Sequence, residues 1–150
     1  MADIHYRRSR FATRLAGDRL YTPSHFWALE GEAGLWRVGL TKFAARMLGD
    51  VVDIGFDSKP GAIVELGEGI GWLEGFKART DLYTIVAGTF SGGNLELEQD
   101  VDVIDRDRYG RGWLYEVRGT LDPAACDAAG YAAILDATVD RMRGRIRREV

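Results

Sequence analysis

From Leu20 onward the chain alternates short apolar runs with glycine-containing polar breaks. The runs fall at Leu20–Thr22, Phe26–Glu30, Leu35–Leu40, Val51–Phe56, Ile63–Leu66, Ile70–Phe76, Leu82–Val86, Leu95–Leu97, Val101–Ile104 and Gly112–Val117. Each is too short for a helix and rich enough in β-branched and aromatic residues for a strand. Strands at this spacing predict a mainly β barrel or sandwich. Two segments break the pattern. Thr41 and Gly49 bracket Lys42–Leu48 as the N-cap and C-terminal stop of one short internal helix. Near the end, Tyr131, Leu135, Val139, Met142 and Ile146 recur at helical spacing, and Asp122-Pro123 reads as the start of that C-terminal helix. Residues 1–19 read as a basic extension, helical or poorly ordered, ahead of a domain at 20–150.

Composition fits one domain of 150 residues with four Trp, six Phe and six Tyr for its core. Nineteen glycines suit many tight turns. No apolar run approaches the roughly 18–20 residues of a membrane span, and no apolar leader opens the sequence. The expected location is the cytoplasm, without a membrane partner. The lone Cys126 excludes an internal disulfide or a cysteine zinc site, and with only His5 and His25 no metal site is expected.

Charge is unevenly spread. The net charge is −3, but residues 1–20 carry +3, residues 141–150 carry +4 and residues 21–140 carry −10. An acidic body repels phosphates, so no nucleic-acid partner is expected. It suits docking on basic protein surfaces. The run Glu96, Glu98, Asp100, Asp102, Asp105, Asp107 reads as a solvated loop, with docking as the second reading. Chemistry that needs a primary amine has only Lys42, Lys59 and Lys77, against seventeen arginines.

Lys77 lies in Gly69–Val86, where an apolar run ends at Phe76, polar residues fill Lys77–Asp81 and an apolar run resumes at Leu82. That predicts a hairpin with Lys77 near its tip. A lysine on a turn is usually only solvated, and this local pattern assigns it no role by itself. Nothing in the chain forms a phosphate loop between strand and helix, a G-x-S-x-G elbow or an H-E-x-x-H pair, so no catalytic residue is expected.

The order of motifs resembles the glycine cleavage system H protein family of lipoyl carriers. The matching pieces run from Tyr21-Thr22-Pro23-Ser24-His25-Phe26-Trp27 through Val38-Gly39-Leu40-Thr41 and Leu48-Gly49-Asp50-Val51-Val52 to Glu74-Gly75-Phe76-Lys77-Ala78, Asp81-Leu82-Tyr83 and Asp105-Arg106-Asp107-Arg108-Tyr109-Gly110-Arg111-Gly112-Trp113-Leu114. The resemblance implies a lipoyl/biotinyl-type barrel-sandwich hybrid. It implies lipoic acid in amide linkage on Lys77, with Glu74, Gly75, Phe76, Ala78 and Asp81 as the context read by a lipoate-attachment enzyme. Departures stand at Gly75-Phe76 for Ser-Val, Thr84-Ile85 for Ser-Pro, Asp105 for Asn and Arg108 for Pro. The Glu74–Ala78 form is similar to lipoate-binding proteins of bacterial sulfur oxidation, whose partner is a heterodisulfide-reductase-like complex, and this is the first reading of the pathway. The alternatives are a glycine cleavage H protein, which passes an aminomethyl group among the glycine cleavage enzymes, and an unmodified interaction module. His25 matches the family's histidine and reads as structural or as a neighbour of the arm. Cys126 reads as a small buried residue rather than a redox thiol.

Overall fold

The computed structural model describes residues 1–149, with side chains described as far as Arg145. Eleven strands and four α-helices follow in the order β1 (Ile4–Arg8), β2 (Phe11–Leu15), β3 (Leu20–Tyr21), β4 (Phe26–Glu30), β5 (Leu35–Leu40), α1 (Lys42–Leu48), β6 (Val51–Phe56), β7 (Ile63–Val64), β8 (Gly69–Gly75), β9 (Arg79–Tyr83), β10 (Val86–Gly93), α2 (Glu96–Gln99), α3 (Val103–Arg106), β11 (Tyr115–Leu121) and α4 (Ala128–Glu149). Six strands form one antiparallel sheet in the order β3-β4-β5-β11-β10-β7, and three form a second in the order β6-β8-β9. Inward side chains of both sheets, among them Val38, Leu40, Ile70, Leu73, Leu82, Phe90 and Tyr115, make the larger core. Two packed sheets with a C-terminal helix agree with the barrel-sandwich hybrid expected from the resemblance.

The internal helix forms as its flanks dictate. Thr41 Oγ1 accepts from the Ala44 N–H at 3.4 Å. Gly49, at φ 74°, ends α1 in the left-handed conformation that glycine adopts without penalty.

The N-terminal segment departs from expectation. It is neither helical nor irregular but a β1–β2 hairpin with Ile4 opposite Leu15 and Arg8 opposite Phe11. Tyr6, Phe11 and Leu15 point into a second core with Tyr21, Trp27, Phe43, Tyr131 and Leu135. Arg8 pairs with Asp136 and Asp140 of α4, and the Tyr6 hydroxyl donates to Asp136 at 2.8 Å.

Four further expectations are corrected. Leu95–Leu97 and Val101–Ile104 are not strands but lie in or beside the short helices α2 and α3, which bury Leu97, Val103 and Ile104. The run Leu82–Val86 is broken at Thr84-Ile85, where the chain passes from one sheet to the other. The Thr84 hydroxyl donates to the Val86 carbonyl, and the Ile85 N–H donates to the buried Tyr115 hydroxyl at 3.1 Å. A proline at position 85 would lack that donor. The strand expected at Gly112–Val117 starts at Tyr115 and runs to Leu121. Finally, α4 begins at Ala128 rather than at Pro123: Asp122 Oδ1 accepts from the Ala124 N–H in a turn, and Asp127 Oδ1 accepts from the Gly130 N–H to start the helix. Ile146, Arg147 and Arg148 of the expected stripe and basic tail lie outside the described side chains.

Candidate functional site

Lys77 sits in the turn Phe76–Ala78 between β8 and β9, with its side chain exposed. The turn is tighter than the sequence predicts, because pairing resumes at once with Glu74 opposite Arg79. The Gly75 N–H donates to the Ala78 carbonyl at 2.8 Å and closes it.

The turn also leans on α1. The Lys77 N–H donates to the Leu48 carbonyl at 2.9 Å, which satisfies one of the free carbonyls at the end of that helix. Close backbone approach makes this possible. A Cβ on Gly75 would collide with the Leu48 and Asp50 carbonyl oxygens, and one on Gly49 would lie 2.6 Å from Lys77 Cγ. The motifs Leu48-Gly49-Asp50 and Gly75-Phe76-Lys77 therefore form one unit, a platform that fixes the lysine backbone and leaves the amine in solvent. With the backbone placed this way, a side chain at 75 has no room.

An apolar cleft of about 460 Å³ opens beside the platform. Its walls include Leu48 and Met47 from α1, Leu66, Leu73 from β8, Thr80 and Asp81 from β9, and Ser24 and His25. The volume falls in the range of small-molecule sites, roughly 300–1,000 Å³. Of the residues singled out around Lys77, Asp81 lines this cleft, and its carboxylate accepts from the Tyr83 hydroxyl at 3.3 Å. Phe76 does not pack on it and stands 81% exposed next to Lys77. The sequence gives no sign that Ser24, Met47, Leu66 and Asp122 share one wall, since they lie far apart along the chain.

The other two lysines sit elsewhere. Lys42 Nζ donates to the Ala12 carbonyl at 2.8 Å and ties α1 to the N-terminal hairpin. Lys59 occupies the turn after β6. Cys126 pairs its backbone with Tyr21, and burial pushes its thiol up, as suits a small packed residue.

His25 is held at φ 74° and lines the cleft. Burial pushes its imidazole down to about 4, well below the ordinary value of 6.5. An unfolded chain therefore binds a proton at His25 below pH 6.5 that the folded protein refuses until about pH 4. Stability contributed at neutral pH is lost as pH falls through that window, by at most about 3 kcal/mol. Urea unfolding at pH 7 and pH 4.5 measures this. His25→Asn, which tolerates the left-handed backbone, should flatten that part of the pH dependence.

The acidic run is less acidic in space than in sequence. Asp100 pairs with Arg106, Asp105 with Arg108 at 2.8 Å, and Glu96 with Arg111 at 2.6 Å. Asp105 and Arg108, both departures from the resemblance, thus form one ion pair.

Comparison with known proteins gives one family. The family described as Glycine cleavage H-protein matches residues 19–127. A glycine cleavage system H protein from Thermus thermophilus is 40% identical over 124 residues, covering 79% of this chain and 94% of the relative. One from Corynebacterium jeikeium is 39% identical over 126 residues, covering 81% and 97%. The crystal structure of a glycine cleavage system H protein from Mycobacterium marinum superposes with a TM-score of 0.71 at 35% identity, covering 79% of this chain and 97% of that one. The chain therefore belongs to the glycine cleavage H-protein family, lipoyl carriers that hold lipoic acid covalently on a lysine.

Proposed function

We propose that Lys77 is the lipoyl attachment point and that the protein is the H protein of a glycine cleavage system, carrying the aminomethyl group from glycine between partner enzymes. One observation supports the attachment site above others: an exposed lysine whose backbone is pinned by Leu48 while its amine is left in solvent beside an apolar cleft. The relatives quoted above carry the glycine cleavage name, which favours that alternative over the sulfur-oxidation reading.

When bound, the lipoyl group supplies a dithiolane that opens and closes by thiol–disulfide exchange. The chain's own residues do the positioning. The β8–β9 turn offers the lysine to an attachment enzyme. The platform fixes where the arm begins, and tethering raises the local concentration of the carried group at each partner site. Met47, Leu48, Leu66 and Leu73 give the cleft apolar walls. In this reading the protein acts as a carrier in a reducing cytoplasm and leaves the reactions to its partners. Peptide mass spectrometry after incubation with lipoate and an attachment enzyme tests the site: one lipoyl group on the peptide containing Lys77 is expected, and modification at Lys42 or Lys59 refutes it.

The paired acidic run makes a further prediction. Transfer to partners should slow as salt rises, because the −10 body is screened over roughly 8–10 Å at physiological salt. Asp100, Asp105 and Glu96 have arginine partners, which leaves the exposed Glu98 and Asp102 as carboxylates free to meet a basic partner; if the run only solvates a loop, replacing these two by amides leaves rate and salt slope little changed. Stopped-flow transfer rates at several salt concentrations check this; a salt slope cut by half would place docking on this run.

A further inference from the structure

Three hydroxyl and imidazole groups behind the cleft fix the proton of His25. Thr41 Oγ1 lies 3.0 Å from the His25 carbonyl and donates to it. With its proton so used, Thr41 Oγ1 accepts from the Tyr131 hydroxyl, 3.0 Å away, and from the Ala44 N–H. Tyr131 has one proton and gives it to Thr41. Its oxygen can then only accept at its second contact, His25 Nδ1 at 2.8 Å. This order of donors places the imidazole proton on Nδ1. The reverse order, with Thr41 donating to Tyr131 and Tyr131 to His25, leaves the His25 carbonyl with the Thr41 N–H alone, at 3.1 Å, and makes one hydrogen bond fewer.

The other ring nitrogen is then a bare lone pair. Nε2 has no protein partner among the described residues, and it is not among the fully enclosed unsatisfied atoms. His25 lines the cleft, whose wall also includes Leu48, the residue that holds the Lys77 backbone. Phe43 packs on the ring at 4.6 Å between centroids and Tyr131 meets it edge-on at 5.7 Å, so it cannot turn freely. The titratable groups that share the cleft are Asp81, Tyr83 and Asp122, and α4 contributes Tyr131. Burial keeps the ring neutral through the physiological range.

We propose that His25 is a positioning residue of the cleft: its Nε2 is a fixed hydrogen-bond acceptor for an N–H of the primary ammonium group that the arm brings in. This deepens the carrier reading and rests on it. A neutral acceptor with a locked tautomer favours an ammonium donor without adding a charge that must be desolvated.

Long-range proton–nitrogen NMR of histidine-labelled protein tests it. In the unlipoylated protein the expected spectrum is a single His25 tautomer, protonated at Nδ1 and bare at Nε2, unchanged from pH 8 to pH 5. A protonated Nε2, or a mixture, overturns the proposal. The lipoylated protein is then loaded from glycine by the decarboxylating partner, with intact mass recording the load. A loaded mass with a shifted Nε2 signal is the expected result. A loaded mass with an unmoved signal refutes the role of His25 alone. No loaded mass refutes the glycine cleavage reading, and the proposal falls with it. Tyr131→Phe supplies a second lever, since it removes the acceptor for Nδ1–H. It should populate the Nε2-protonated tautomer and speed loss of the carried group roughly tenfold, the size of one hydrogen bond to a charged donor. A wild-type spectrum and release rate in that variant also overturn the proposal.

Discussion

Lys77→Arg should leave the protein folded and stop it from taking up lipoic acid. Arginine keeps the charge and most of the stem, so the turn loses little. The fold should not register the change, because the contact that holds this residue is made by its backbone: the Lys77 N–H to the Leu48 carbonyl. The guanidinium has no free amine for an amide bond, so attachment fails completely rather than partly. Intact mass after incubation with lipoate and an attachment enzyme should show one lipoyl group on the wild type and none on the variant. Melting temperatures of the variant and the wild type should agree closely. A lipoyl group elsewhere in the variant would refute the site. The wild type with and without lipoate should also melt alike, since Lys77 is exposed and neither core includes it. A large gap between those two forms would mean that the arm is packed as core.

How far this site was legible in the sequence depends on what kind of signal each part leaves. Thr41 and Gly49 are local signals, and α1 forms between them. The alternation around Lys77 is also local, and the turn is there. The support beneath the turn is different. It comes from carbonyls and from missing Cβ atoms at Gly49 and Gly75, and a carbonyl has no letter in a sequence. The cleft is harder still, since its walls come from α1, β8, β9 and the loops before β4 and β8. Strand β10 left little trace, because Val86–Gly93 has three glycines and hardly any alternation. At 95–104 the apolar spacing fits a strand and a short helix equally. The Asn94 side chain decides it, as its Oδ1 accepts from the Glu96 N–H and turns the chain. In the N-terminal segment the pattern was present: Ile4, Tyr6 and Arg8 alternate, as do Phe11, Thr13 and Leu15. Five arginines within residues 1–20 mask it with charge.

Removal of residues 1–18 should cost the protein much of its stability, although the segment lies outside the matched family region of 19–127. The reason is the second core. Tyr6, Phe11 and Leu15 are 7%, 8% and 1% exposed, against an outer surface that would otherwise be solvent. Phe11 meets Phe43 of α1 edge-on at 5.5 Å between centroids, and the Ala16 carbonyl accepts from the buried Tyr21 hydroxyl at 2.7 Å. Burial of three large side chains contributes about 1.5–3 kcal/mol each, so the loss is on the order of 5 kcal/mol, comparable with the whole stability of many domains. The exposed ion pairs of Arg8 with Asp136 and Asp140 add little to this. Helix α4 should suffer first, because Tyr6 and Arg8 are what β1 sets against it. Urea unfolding of the full chain and of the truncated chain, followed by circular dichroism, measures the difference. The β6-β8-β9 sheet and the Lys77 turn draw on the other core, so lipoylation of whatever fraction stays folded should persist. A truncated chain as stable as the full one would show that the hairpin only decorates the fold. A truncated chain that is destabilised, yet still lipoylated at Lys77, would show that the hairpin braces α4 and the second core without shaping the attachment turn.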